Sequence, residues 1–108
     1  MKKVGLMFAG QGAQFVGMGK ELYDDNATAK AVFDQADTVL GTSLSDLCFN
    51  GPEDALTDTA NCQPAIYAMS IACLQALKEK AEFEPVVCGG LSLGEFAALH
   101  VAGGCDFE

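Results

Sequence analysis

With 108 residues, half of them apolar, the chain amounts to at most one ordinary domain and should form a packed core. A formal charge of −9 argues against nucleic acid and against an anionic membrane surface, because both are bound by clustered cations. All six basic residues are lysines (Lys2, Lys3, Lys20, Lys30, Lys78 and Lys80), so the chain offers no guanidinium fork for a carboxylate or phosphate.

Residues 4–8 form a short apolar run and predict a buried strand. Met1-Lys2-Lys3 precede it, but Gln11 and Gln14 interrupt the run early and no cleavage pattern follows, so a buried strand rather than a signal peptide is expected. The run ends at Ala9-Gly10-Gln11-Gly12-Ala13-Gln14, whose glycines suit a tight turn at the carboxyl edge of a sheet, where α/β proteins bind ligands. As a dinucleotide fingerprint this loop fails, since Phe15 stands where a third glycine is needed. Two readings stay open for Gln11: a residue facing the ligand edge, or a solvated turn residue.

Helical signals follow. Residues 20–23 suit a short turn of helix. Asp24-Asp25-Asn26 offers a cap for a helix over about residues 27–40, in which Val32, Ala36 and Val39 or Leu40 recur at helical spacing and Gly41 supplies the stop. Asp34 and Asp37 are assigned to its solvated face. Residues 43–49 read as another short helix and Asn50-Gly51-Pro52 as a turn, while Glu53, Asp54 and Asp58 read as solvated loop charges. Cys62-Gln63-Pro64 opens the longest helix, which runs to about Lys80, is apolar on nearly every side and is expected to pack under the second strand. Gln63, at its start, is the one residue there placed to face a ligand.

The most informative stretch is Pro85-Val86-Val87-Cys88-Gly89-Gly90-Leu91-Ser92-Leu93-Gly94-Glu95-Phe96-Ala97-Ala98-Leu99, an apolar strand, a glycine turn with one serine, and a helix to about residue 102. Gly90-Leu91-Ser92-Leu93-Gly94 fits G-x-S-x-G, the nucleophile elbow, in which glycines permit close packing of strand and helix and the serine is thrust outward. An oxyanion formed by attack of Ser92 would find the backbone N–H of Leu93 at a positive helix end. The plain structural alternative is a Ser92 that merely caps the helix. A nucleophilic serine needs a base, and His100 is the one histidine. Eight residues along one helix put it about 12 Å from Ser92, out of reach. The expected order is β-α-α-α-β-α, an α/β arrangement with a parallel sheet covered by helices.

Five cysteines (Cys48, Cys62, Cys73, Cys88 and Cys105), without a C-x-x-C pair, argue against a disulfide framework and a zinc site. Reduced thiols in a cytoplasmic protein are the simplest reading. Cys88, beside Val86 and Val87, reads as a small buried hydrophobe rather than a nucleophile. No apolar stretch reaches the roughly 18 residues of a membrane span, so a soluble protein is expected. Cys105-Asp106-Phe107-Glu108 reads as the cap of a further helix, as though the chain were part of something larger.

Phe8-Ala9-Gly10-Gln11-Gly12-Ala13-Gln14, Val16-Gly17-Met18-Gly19, Gln63-Pro64-Ala65 and the stretch from Gly90 to Leu99, in that order and spacing, resemble the malonyl-CoA:acyl carrier protein transacylases and the acyltransferase domains of fatty acid and polyketide synthases. The resemblance implies an α/β-hydrolase-like core, of which residues 1–108 would be the N-terminal segment of the large subdomain. It implies that Ser92 takes a malonyl group from coenzyme A and passes it to the phosphopantetheine thiol of acyl carrier protein, with no bound cofactor or metal. It places Gln11 and Leu93 as backbone oxyanion donors and Gln11 and Gln63 beside the substrate. The base, a histidine, and a carboxylate-binding arginine would come from the remainder of the acyltransferase chain.

Two residues depart from the family pattern. Leu91 stands where a histidine is usual, which implies altered tuning of the serine, and Ala9 stands where a proline is usual. Leu93, where relatives preferring methylmalonyl often carry glutamine, leans towards malonyl. A serine hydrolase of α/β-hydrolase type and a non-catalytic scaffold remain the competing readings of the residues themselves.

Overall fold

The computed structural model describes residues 2–90 and 93–101. In chain order the elements are β1 (Lys2–Phe8), α1 (Lys20–Asp25), α2 (Ala27–Leu40), α3 (Leu44–Asn50), α4 (Glu53–Thr57), α5 (Thr59–Lys80), β2 (Phe83–Gly90) and α6 (Gly94–Val101). β1 and β2 pair in parallel from Lys2 opposite Phe83 to Phe8 opposite Gly90, with a one-residue shift of register between Val4 and Gly5. The α/β class and parallel pairing therefore agree with expectation.

One face of this small sheet is turned inward, with Val4, Leu6 and Phe8 half-buried. The other carries Met7, 94 % exposed, and Val87, 64 % exposed. Parallel sheets are ordinarily covered on both faces, so this apolar surface is one that the described residues leave bare.

The core lies in the helical layer. Phe33 of α2 is fully buried against the alanine face of α5, formed by Ala65, Ala68, Ala72 and Ala76. Small side chains there let the two helices approach closely, and Met18, Leu44, Cys48 and Leu56 close the cluster. Phe33 meets Tyr23 and Phe49 at ring-centroid distances of 6.0 and 5.4 Å in edge-to-face geometry. The Cys48 thiol, fully buried, is pushed up to about 12, first by desolvation and then by the Asp37 carboxylate, so it stays protonated and inert.

Several elements depart from the expectation. α5 begins at Thr59, three residues before Cys62, and carries Pro64 inside it. Its cap is Asp58, whose carboxylate accepts from Ala60 N at 3.2 Å; an acid read as a loop charge thus satisfies an orphan amide at the positive helix end. α4 falls where the sequence predicts a loop; its one fully buried residue, Leu56, anchors it on the core. Asp37 is half-buried rather than solvated, and its carboxylate accepts from Ser45 N at 2.8 Å and Ser45 Oγ at 2.5 Å, tying α2 to α3. α6, rather than α5, is the helix packed on β2, while α5 lies between α2 and α6 and reaches the carboxyl end of β1.

The sequence boundaries hold for α2, where Asn26 Oδ1 accepts from Ala29 N at 2.9 Å and Gly41 ends the helix at φ 69°. Among the described residues no helix is long and apolar enough to cross a membrane.

Candidate active site

β1 and β2 end side by side at Phe8 and Gly90, and both of the sequences singled out as chemical follow directly from those ends. Ser92, with Leu91, lies outside the described residues. The residues on either side of them, Gly90 and Leu93 to Val101, are described.

A Cβ added to Gly90 would strike the carbonyl group of Gly94 and lie 2.6 Å from Glu95 N, so β2 meets the first turn of α6 backbone to backbone. A Cβ on Gly94 would strike the Phe8 carbonyl oxygen and lie 2.9 Å from the Phe8 carbonyl carbon and 3.1 Å from Ala9 O. The two glycines of G-x-S-x-G thus do separate jobs. Gly90 brings strand and helix together, and Gly94 seats that helix on the end of β1. The seat lies at Phe8 and Ala9, and Gln11 follows Ala9 by two residues. The end of β2, the start of α6 and the start of the glutamine loop therefore meet at one backbone junction.

Leu93 is buried, 7 % exposed, and its carbonyl accepts from Phe96 N at 3.1 Å, which opens α6. The loop after β1 is closed by Ala13 N donating to Gly10 O at 3.3 Å and by Gly12 N donating to the Gln14 side-chain oxygen at 2.8 Å. Gly12 sits at φ 108°, a conformation that favours glycine. Gln11 is exposed, and its side-chain Nε2 donates to Thr59 Oγ1 at 3.1 Å. Gln63 is also exposed and lies one helical turn beyond Thr59 on α5, so the two share a face.

Thr59 was missed by sequence reasoning. A hydroxyl four residues before Gln63 is a usable signal only once the helix is known to begin before Cys62. His100 packs its ring on Tyr67 of α5, with centroids 6.4 Å apart and planes at 71°, on the helix that also begins at the serine turn. Among the described residues no cluster of histidine, cysteine and acids is arranged to hold a metal ion.

Residues 6–107 match the family described as the acyl transferase domain, and the chain belongs to that family. It is 48 % identical over 108 residues to the malonyl CoA-acyl carrier protein transacylase of Bacillus subtilis, covering 100 % of this chain and 34 % of that protein. Among solved structures, the malonyl CoA-acyl carrier protein transacylase of Clostridium perfringens superposes with a TM-score of 0.90 at 44 % identity, over 99 % of this chain and 33 % of that one. A type II PKS acyl-carrier protein in complex with its malonyl-transacylase gives 0.90 at 37 % identity, over 99 % and 34 %. The chain thus spans about a third of the length of the relatives it matches. The resemblance noted from the motifs, and the α/β acyltransferase fold it implied, are both met.

Proposed function

We propose that this chain supplies the nucleophile-bearing part of an acyltransferase that moves a malonyl group from coenzyme A to acyl carrier protein in fatty acid biosynthesis. The observation that carries the reading is the seat of Gly94 on Phe8 and Ala9, which joins the Gln11 loop to the turn holding Ser92 and Leu93. In this reading the turn is a nucleophile elbow. Ser92 Oγ attacks the thioester carbonyl and gives its proton to a histidine base, and the backbone N–H groups of Gln11 and Leu93 stabilise the oxyanion. Collapse of the tetrahedral intermediate expels the coenzyme A thiol, which takes a proton. The phosphopantetheine thiol then attacks the acyl-serine and regenerates Ser92. Gln11 and Gln63 contact the substrate, and no resident cofactor is required.

Residues 1–108 form the N-terminal segment of the large acyltransferase subdomain. The base and the arginine that holds the malonyl carboxylate come from the remainder of the acyltransferase chain. The absence of arginine from this chain supports that division. So does the bare sheet face at Met7 and Val87, which a larger core would cover. A cytoplasmic location is part of this reading.

The test is acyl-enzyme formation. Mixed with malonyl-CoA and the C-terminal two thirds of the Bacillus subtilis transacylase, the wild type should acquire a malonyl label that Ser92→Ala lowers by about 1,000-fold or more. Equal labelling of both proteins would refute the reading, and hydrolysis of simple esters outrunning transfer to thiols would point to a serine hydrolase instead. A related expectation concerns docking. A charge of −9 should repel an acidic acyl carrier protein, so that protein should bind the complemented assembly and not the isolated chain. Salt-sensitive binding to residues 1–108 alone, in a calorimetric titration, would contradict this.

A further inference from the structure

The Gln11 loop is an exposed connection, and loops of this kind ordinarily exchange conformers. An oxyanion donor cannot, because its N–H must already point at the developing charge when the bond forms. Something has to hold the Gln11 peptide. The glycines on either side cannot, since they widen the conformational choice. The bonds inside the loop, from Ala13 N to Gly10 O and from Gly12 N to the Gln14 side chain, fix its shape but not its tilt relative to the rest of the molecule.

Among the described residues, a side-chain tie from the loop to the helical layer is the bond from Gln11 Nε2 to Thr59 Oγ1 at 3.1 Å, which spans 48 residues of sequence. Thr59 is suited to the task. It is the first residue of α5, the longest helix, and its β-branched side chain is stiff at χ1. The turn it stands on is braced on both sides, by Asp58 accepting from Ala60 N and by Asn61 Nδ2 donating to Ala55 O at 2.9 Å. A hydroxyl can donate as well as accept, so the pair survives either orientation of the Gln11 amide. Deeper along the same helix, Ala65 and Ala68 are locked into the buried core. The loop is thereby referenced to the rigid helical layer rather than to solvent.

We propose that Thr59 is a positioning residue for acyl transfer: by holding the Gln11 side chain to the start of α5 it fixes the peptide whose N–H donates to the oxyanion. This rests on the acyl-transfer reading above. Thr59 acts through Gln11 and does not touch the acyl group. The same tether sets the distance between the loop and Gln63, one turn further along α5.

The test compares Thr59→Val, which keeps the shape and loses the hydroxyl, with Thr59→Ser, which keeps the hydroxyl. In the complemented assay, Thr59→Val should slow Ser92 acylation at saturating malonyl-CoA by about fivefold, the worth of one neutral hydrogen bond, with half-saturation unchanged. Thr59→Ser should restore the rate to within about twofold. In the isolated chain, the side-chain amide resonances of Gln11 should shift in Thr59→Val and stay in place in Thr59→Ser. An undiminished rate in Thr59→Val, a Thr59→Ser protein as slow as Thr59→Val, or unmoved Gln11 resonances would each overturn the proposal. Failure of the acyl-transfer reading looks different, because the wild type then gives no Ser92-dependent label. The Gln11 resonances still decide the tether in that case, which stands if they move in Thr59→Val and falls if they do not.

Discussion

Gly94→Ala is expected to abolish acylation in the complemented assay while leaving the helical layer folded. The added methyl has no free volume: it would strike the Phe8 carbonyl oxygen and sit 2.9 Å from the carbonyl carbon. Neither partner can rotate away, because Phe8 is the last residue of β1 and is paired with Gly90. Relief requires α6 to slide off the strand, at a cost of roughly 3 kcal/mol or more, and the Leu93 amide would move with it. Far-ultraviolet circular dichroism should keep most of its helical signal, since the atoms nearest the new methyl belong to Phe8 and Ala9 rather than to the helical layer. The Ser92 label should be lost. A Gly94→Ala protein that labels at the wild-type rate would show that the junction of β1 and α6 has no bearing on the chemistry.

Phe33→Ala should be the most damaging substitution in the helical layer. Phe33 is fully buried, lies edge-on to both Tyr23 and Phe49, and stands 2.8 Å from where a Cβ of Gly19 would be. Its removal empties the centre of the cluster between α1, α2, α3 and α5, which leaves the flexible methionines of that cluster, Met18 and Met69, to fill the space. The loss should be about 3–5 kcal/mol, a large share of the stability of a domain this size, and urea denaturation would read it as a fall in midpoint. A loss below about 1 kcal/mol would mean that the cavity collapses, and that the alanine face of α5 is more plastic than its close packing suggests.

Much of the fold was legible where its causes are local. α2 begins after the Asp24-Asp25-Asn26 cap, with Asn26 as the capping residue, and ends at Gly41, because a cap and a left-handed stop act within one turn. α5 misled because a proline near a helix start is usually at the first position. Here Pro64 is the sixth residue, and the cap that mattered was Asp58. α4 and the bonds of Asp37 were illegible for another reason: a five-residue helix held by burial of Leu56, and a carboxylate satisfied from α3, depend on partners distant in sequence or contributed by another element. At the site, the spacing of Gly90 and Gly94 signalled close backbone approach. It did not reveal that Gly94 is pressed on β1, since that contact exists only once the two strands are paired. Thr59 was hidden by the misplaced start of α5.

β1 and β2 are neighbours in space, yet the whole of α1 to α5 separates them along the chain. For a flexible segment of that length, bringing the two ends together would cost a few kcal/mol of chain entropy against only a short parallel ladder. The helical layer removes most of that cost by folding the intervening chain into one packed unit whose ends emerge close together. It gives each strand a high effective concentration of the other. The buried alanines of α5 thereby do for the two strands what a short linker does for a two-part binder: they keep the ends of β1 and β2 at Phe8 and Gly90 within reach of each other.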